Sequence, residues 1–340
     1  MTDEDHIKIH RSDLNVVLNA IAKAEDEITV SHPSDEIDDL YTFEVGAAYD
    51  STLRFEKSAD EYGEARSGIM GTQAQSEIPE QGSYVRSFTT SVLDFSNKSE
   101  LDNFINRYTG RDPGEGHRPA YGILDANIIR WQLGDSLGIE PDEDGLQGSL
   151  LVTGVRDELH RYGGNEKIQN TTELEEELHP NYSRLFNQFK SQPREQRLGL
   201  EYYQHLDNQI SSEEITSDTG DASILESCEG FKDSLGYDLL FFTNDRNARD
   251  MAREKNILGR LVEFPSSLPE ETSVSWSDFG LLLYVHAMLF GIIRLPKVDL
   301  YGVWAGSEGS TNGYFLVDCR SRNTEQRIRR DLAVLETWRE

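Results

Sequence analysis

Residues 237 to 257 read YDLLFFTNDRNARDMAREKNI, and this stretch constrains the fold most. Leu239 to Phe242 is wholly apolar and of strand length. It stops at Thr243-Asn244-Asp245, and a charged, helix-patterned segment follows. An uninterrupted apolar strand that feeds a polar turn and then a helix is the pattern of a strand buried on both faces of a parallel sheet. Open α/β sheets bind ligands beyond the carboxyl ends of their strands. Asp245 therefore stands where a functional carboxylate belongs.

The same layout recurs upstream. Tyr121 to Leu124 predicts a short strand closed by Asp125, with a helix from Ala126 to Leu137. Leu150 to Val155 predicts a third strand, followed by a helix that carries Glu158. A helix starting at or near Asp221 precedes the Leu239 strand, and Arg260 to Phe264 predicts a last one. Strands alternating with helices, without hairpin turns, argue for a parallel sheet with right-handed crossovers. Such a sheet brings Asp125, Glu158, Asp221 and Asp245 to one edge. Asp218 and Glu226 lie close enough to Asp221 to compete for its role.

The flanks read differently. Before the Pro/Gly-rich linker RDPGEGHR, residues 11–27 predict an amphipathic helix capped by Ser12. Residues 39–57 predict two strands, 60–82 a loop, 83–95 a strand, and 99–108 a helix opened by Ser99 and Asp102. Residues 163–214 predict a helical insertion with pieces at 172–178, 183–190 and 198–210. Beyond 266 come an apolar helix at 279–293, paired strands at 298–305 and 314–319, and a basic helix at 320–339. The expected division is a small α+β N-terminal unit (1–112), an α/β domain (113–266) and an α+β C-terminal extension (267–340).

Four carboxylates at one edge repel one another unless a cation intervenes. An all-oxygen donor set without nearby His or Cys suits Mg2+ or Mn2+, ions that stabilise charge developing on a phosphate. Net charge limits the alternatives. With 62 acidic against 33 basic residues, the chain carries −29 and repels polyanions except where cations or basic patches intervene. Only nine of the basic residues are lysines, and the acids are spread along the whole chain. That reads as adaptation to a high-salt cytoplasm, as in a halophilic archaeon, where screening shortens to about 3 Å in molar salt. Two cysteines make no disulfide framework. The longest apolar run, 279–293, falls short of the roughly 20 residues of a membrane span. The expected location is cytoplasmic, with no membrane association.

ILDANII, VRDELHRY, GDASILES and LLFFTNDRNARDMAREKNI together resemble the PIN-domain ribonucleases over about residues 120–265. The resemblance implies a three-layer α/β/α domain and a metal-dependent endoribonuclease. It assigns Asp125, Glu158 and Asp221 as Mg2+ or Mn2+ ligands and Asp245 as a ligand or supporting acid. Asn127, Thr243 and Asn244 would organise the site; Arg246, by its place near the same edge and not by the resemblance, is a candidate phosphate contact, with ion pairing to a neighbouring acid as the other reading. The resemblance also implies RNA as substrate and self-association as a homodimer. Two other readings follow from the sequence: an inactive PIN-like scaffold whose flanking units bind a protein or RNA, and a structure-specific DNA nuclease. Arg130, Arg156 and Arg249 lie near the same edge, with ion pairing to neighbouring acids as their expected role. Tyr202, Tyr203 and His205 are expected to pack rather than stack on bases. His286 is expected to be a satisfied core histidine.

Overall fold

A computed structural model describes residues 6–23, 25–46, 51–111, 113–139, 146–162, 167–209, 214–305 and 313–339. Its strands, in chain order, are β1 Ile7–His10, β2 Glu27–Ser31, β3 Asp39–Glu44, β4 Ser51–Phe55, β5 Ala120–Leu124, β6 Ser149–Leu150, β7 Asp238–Thr243, β8 Leu258–Leu261, β9 Glu271–Val274, β10 Ile292–Leu295, β11 Val298–Tyr301 and β12 Tyr314–Cys319. They form two sheets, ordered β1-β12-β11-β10-β2-β3-β4-β9 and β6-β5-β7-β8.

The chain divides into two compact units. One comprises residues 1–93, 165–194 and 266–340, and the other 94–164 and 195–265. The expected N-terminal unit and C-terminal extension therefore share one eight-stranded antiparallel sheet rather than standing apart. Its register pairs Ile7 with Val317 and Ser51 with Val274. Residues 165–194, expected as part of an insertion in the α/β domain, also belong to this unit. The buried ion pair of Glu77 with Arg194, at 2.9 Å, ties them in.

Within that unit the helix Trp276–Phe290 is buried from Leu282 to Phe290, as an apolar run without polar stripe requires. Phe43 stacks on Phe279 with ring centroids 4.1 Å apart. Ser87 bonds His286 Nε2 at 2.7 Å, while Nδ1 of that ring finds no partner among the described residues. The expected single helix over 279–293 is broken at Gly291, whose φ of +78° suits glycine alone. The chain then turns directly into β10.

Several local expectations change. The 60–82 stretch is helical, at Ala59–Gly68 and Thr72–Glu77, because Ser58 and Glu61 make a reciprocal capping box. The expected 83–95 strand is the helix Gln81–Ser87 followed by a short 3-10 turn. Its aromatic residues pack as a helix face, Tyr84 stacking on Tyr62 at 4.0 Å. Residues 180–185 form a 3-10 turn in place of an α-helical start, with Pro180 at its head. Asn97, not Ser99, precedes the Lys98–Ile105 helix, and Asp13 rather than Ser12 precedes the Leu14–Ala22 helix.

The second unit carries the parallel sheet. β5 pairs β6 and β7, and β7 pairs β8, all in parallel. β7 is buried from Leu239 through Thr243, as its apolar sequence predicts. The third strand is shorter than expected. β6 covers only Ser149–Leu150, and the helix Thr153–Tyr162 begins where the strand was expected to continue. Likewise the helix after Asp125 ends at Arg130, and β8 falls at 258–261 rather than 260–264. Among the described residues, no helix is long and apolar enough to cross a membrane.

Candidate functional site

Asp125 follows the last residue of β5 and caps the helix Ala126–Arg130. Its Oδ1 accepts the Ala126 N–H at 2.7 Å. Its Oδ2 accepts the Thr243 hydroxyl at 2.7 Å and, more weakly, the Asn127 amide at 3.4 Å. Thr243 closes the neighbouring strand β7 and is fully buried. Its Oγ1 also accepts the Asp245 N–H at 3.0 Å. One hydroxyl thus fixes both the first acid and the backbone of the last. The backbone N–H of Asp125 donates to the Phe242 carbonyl, so parallel pairing sets the two strand ends level.

Asp245 caps the helix Arg246–Glu254, Oδ1 accepting the Asn247 N–H at 2.7 Å. Asn244 is half-buried beside it, and Arg246 is exposed. Glu158 projects from the middle of the helix Thr153–Tyr162, and its Oε1 accepts the Gly220 N–H at 2.7 Å. Gly220 precedes Asp221, the first residue of the helix Asp221–Leu235, and holds φ at +97°. The segment before it is latched to the start of the Glu158 helix. Thr153 Oγ1 donates to the Ser217 carbonyl at 3.0 Å, and Ser217 Oγ accepts the Gly154 N–H at 3.1 Å.

The electrostatics join the four acids. Burial, joined by the charges of Asp221 and Glu158 and opposed by the Thr243 and Ala126 bonds, raises Asp125 to about 6. Glu158 is raised by burial and by Asp221, offset in part by the Gly220 N–H and by Arg161. Asp221 is raised by burial and then by Asp245. Repulsion of this kind, offset at Glu158 by Arg161, marks a site that gains by holding a cation. The donor set is all oxygen, which fits Mg2+ or Mn2+. As the side chains stand, no three His, Cys, Asp or Glu among the described residues are grouped closely enough to hold an ion.

The other residues singled out by sequence fall into place. Arg156 pairs with Glu214 at 3.1 Å, Arg249 with Asp250 at 2.7 Å, and Arg130 with Glu195 at 3.9 Å. Tyr202 and Tyr203 are buried, and the Tyr203 hydroxyl donates to Glu214 at 2.9 Å. Sequence reasoning missed Gly220 and the Thr153–Ser217 latch. The glycine directly before Asp221 was the available signal. The latch spans 64 residues and left no local trace.

The second unit is thus an α/β structure on a parallel sheet of four strands, with Asp125 and Asp245 just beyond the carboxyl ends of β5 and β7. Residues 155–260 match the family model of the PIN domain, a nuclease-type fold. Glu158, Asp221 and Asp245 lie inside the match. Asp125 lies outside it and is brought to the same edge by the β5–β7 pairing. No curated protein and no solved structure matches the chain.

Proposed function

We propose that the parallel-sheet unit is a metal-dependent endoribonuclease. The observation that carries this reading is the mutual repulsion linking Asp125, Glu158, Asp221 and Asp245 at the carboxyl edge of β5 and β7. Asp125, Glu158 and Asp221 would hold Mg2+ or Mn2+, with Asp245 completing the set. A bound ion of this kind lowers the pKa of water and stabilises charge on a phosphoryl group. Thr243 holds Asp125 in one rotamer, so its outward face stays fixed. The Gly220 N–H does the same for Glu158. Exposed Arg246, beside Asp245, is positioned to contact a phosphate oxygen. In hydrolysis the water oxygen bonds to phosphorus, one P–O ester bond breaks, and the departing oxygen takes a proton.

The test pairs calorimetric titration of Mn2+ with cleavage of a mixed-sequence RNA in molar KCl, for the native chain, Asp125→Asn and Asp245→Asn. Metal binding and cleavage lost together in the variants support the reading. Cleavage unchanged in Asp125→Asn refutes it. One observation favours a second reading, a catalytically silent PIN-like scaffold that binds a protein or RNA: the acids are not drawn into an ion-holding group among the described residues. Absence of Mn2+ binding by the native chain would select it. Matched DNA substrates in the same assay separate RNA from DNA cleavage, and sedimentation tests the expected homodimer.

A further inference from the structure

In a chain with nearly twice as many acidic as basic residues, arginines are expected to face carboxylates. Several do not, and three of these, Arg107, Arg253 and Arg260, with no ion pair within 4 Å among the described residues, are gathered together. Arg260 is held below its ordinary pKa first by burial and then by the Arg253 charge, with Arg107 adding to the effect; Tyr108 and Glu100 act in the opposite direction. Arg107 and Arg260 line an open cleft of about 610 Å³ with Glu100, Asn103 and Phe104. Glu100 is exposed and is the one carboxylate in that lining.

Two of the arginines are also held in place. The Arg260 guanidinium carbon lies over the Phe104 ring, 3.6 Å from its centroid, and Nη1 donates to the Gly259 carbonyl at 2.9 Å. Arg253 Nε shares that carbonyl at 3.3 Å. A guanidinium stacked on a buried ring has lost little further freedom when it binds, and its remaining N–H groups suit phosphate oxygens. The cleft borders β8, the edge strand of the parallel sheet. Arg260 is level with Phe242, and Phe242 with Leu124. Neighbouring strands lie about 4.8 Å apart, so Arg260 is ~10 Å across the sheet from Leu124. The next residues along the two inner strands are Thr243 and Asp125.

We propose that the cleft lined by Arg107 and Arg260, with Arg253 beside Arg260, is a phosphate-binding subsite for a single RNA strand, holding backbone phosphates beside the one at the acidic edge. This rests on the ribonuclease reading and deepens it. The cleft supplies the local positive charge that a polyanion needs to approach so acidic a surface. The volume fits a nucleotide unit rather than a lone ion.

The experiment uses the full chain and a fluorescein-labelled single-stranded oligoribonucleotide. Binding is followed by anisotropy in the Asp125→Asn background, so that the probe survives. The variant is Arg107→Gln/Arg253→Gln/Arg260→Gln, with Arg322→Gln as a charge control from the other unit. The triple variant is expected to bind roughly tenfold more weakly, and the slope of log K against log salt to fall by about two, as for three lost phosphate contacts. In the otherwise native chain, KM for cleavage is expected to rise with kcat unchanged. RNA affinity within about twofold of the parent overturns the subsite while cleavage by the native chain leaves the ribonuclease reading standing. Equal capture of labelled polyglutamate overturns it as a general polyanion or acidic-protein site. A native chain that neither binds nor cleaves RNA removes both readings. Circular dichroism checks folding. Should the triple variant unfold, exposed Arg107→Gln alone carries the test, with weaker binding expected and unchanged binding decisive against.

Discussion

Asp125 serves two ends at once. Its carboxylate caps a helix and takes the Thr243 hydroxyl, yet burial and like charges hold its pKa near 6 against 3.8 for a free side chain. A carboxyl raised on folding favours the folded state while protonated. That contribution is whole below about pH 4 and is lost as pH rises through about 6. Asp125→Asn is therefore expected to stabilise the metal-free protein at neutral pH by up to ~3 kcal/mol, with no gain in acid. Thermal unfolding across that range, in EDTA, reads the difference; a loss of stability at neutral pH would contradict it. Thr243→Val removes the donor to Asp125 and the acceptor of the Asp245 N–H. It is expected to cost about 1–3 kcal/mol and to move the midpoint for Mn2+ binding to higher pH, as followed by calorimetry at several pH values. Asp125, Asp221 and Asp245 drew notice in the sequence because each stands at a strand–helix junction or a helix start, whereas Glu158 lies mid-helix. What sequence could not supply was their partners. The N–H that holds Glu158 belongs to Gly220, and Arg156 finds Glu214 across a long stretch of chain.

The helices of the second unit are positioned by close backbone contacts as much as by their apolar faces. A Cβ on Gly154 would stand 2.3 Å from the Asp218 carbonyl oxygen, where no side chain fits. Gly154→Ala is expected to destabilise the protein by about 1–3 kcal/mol. It should also push the 217–220 segment outward, carrying Asp221 away from Glu158. Mn2+ affinity should then fall more than stability alone explains; unchanged affinity in a folded variant would contradict the latch. β7 and its following helix were legible because an apolar run ending in TND has one reading. The 60–95 stretch was not. Gly, Ser and Gln disguise the helices there, and the capping box at Ser58 and Glu61 was the overlooked cue. Aromatic residues such as Tyr84 and Phe88 favour strands on average, and here tertiary packing overrides that preference.

For the whole molecule, net charge and chain path matter most. At −29, self-repulsion opposes compaction, and salt relieves it within a Debye length that shrinks to about 3 Å at 1 M. Melting temperature is expected to climb steeply from dilute buffer to molar KCl. A flat or falling curve would remove the high-salt reading of the composition. The α/β character of residues around 120–265 was readable because its periods are local. The partition was not, because linear segments suggested three consecutive blocks. The antiparallel sheet joins residues near both ends of the sequence, and nothing short-range announces such a pairing.

That pairing has a consequence for how the protein is made. β1 leaves the ribosome long before its partner β12, at Tyr314–Cys319. Until β12 has been made, Ile7 and Ile9 lack the strand they pair with, so this sheet closes only once residues 314–319 have emerged. A nascent chain halted before residue 314 would hold an unfinished sheet with an open edge, a natural target for chaperones and proteases.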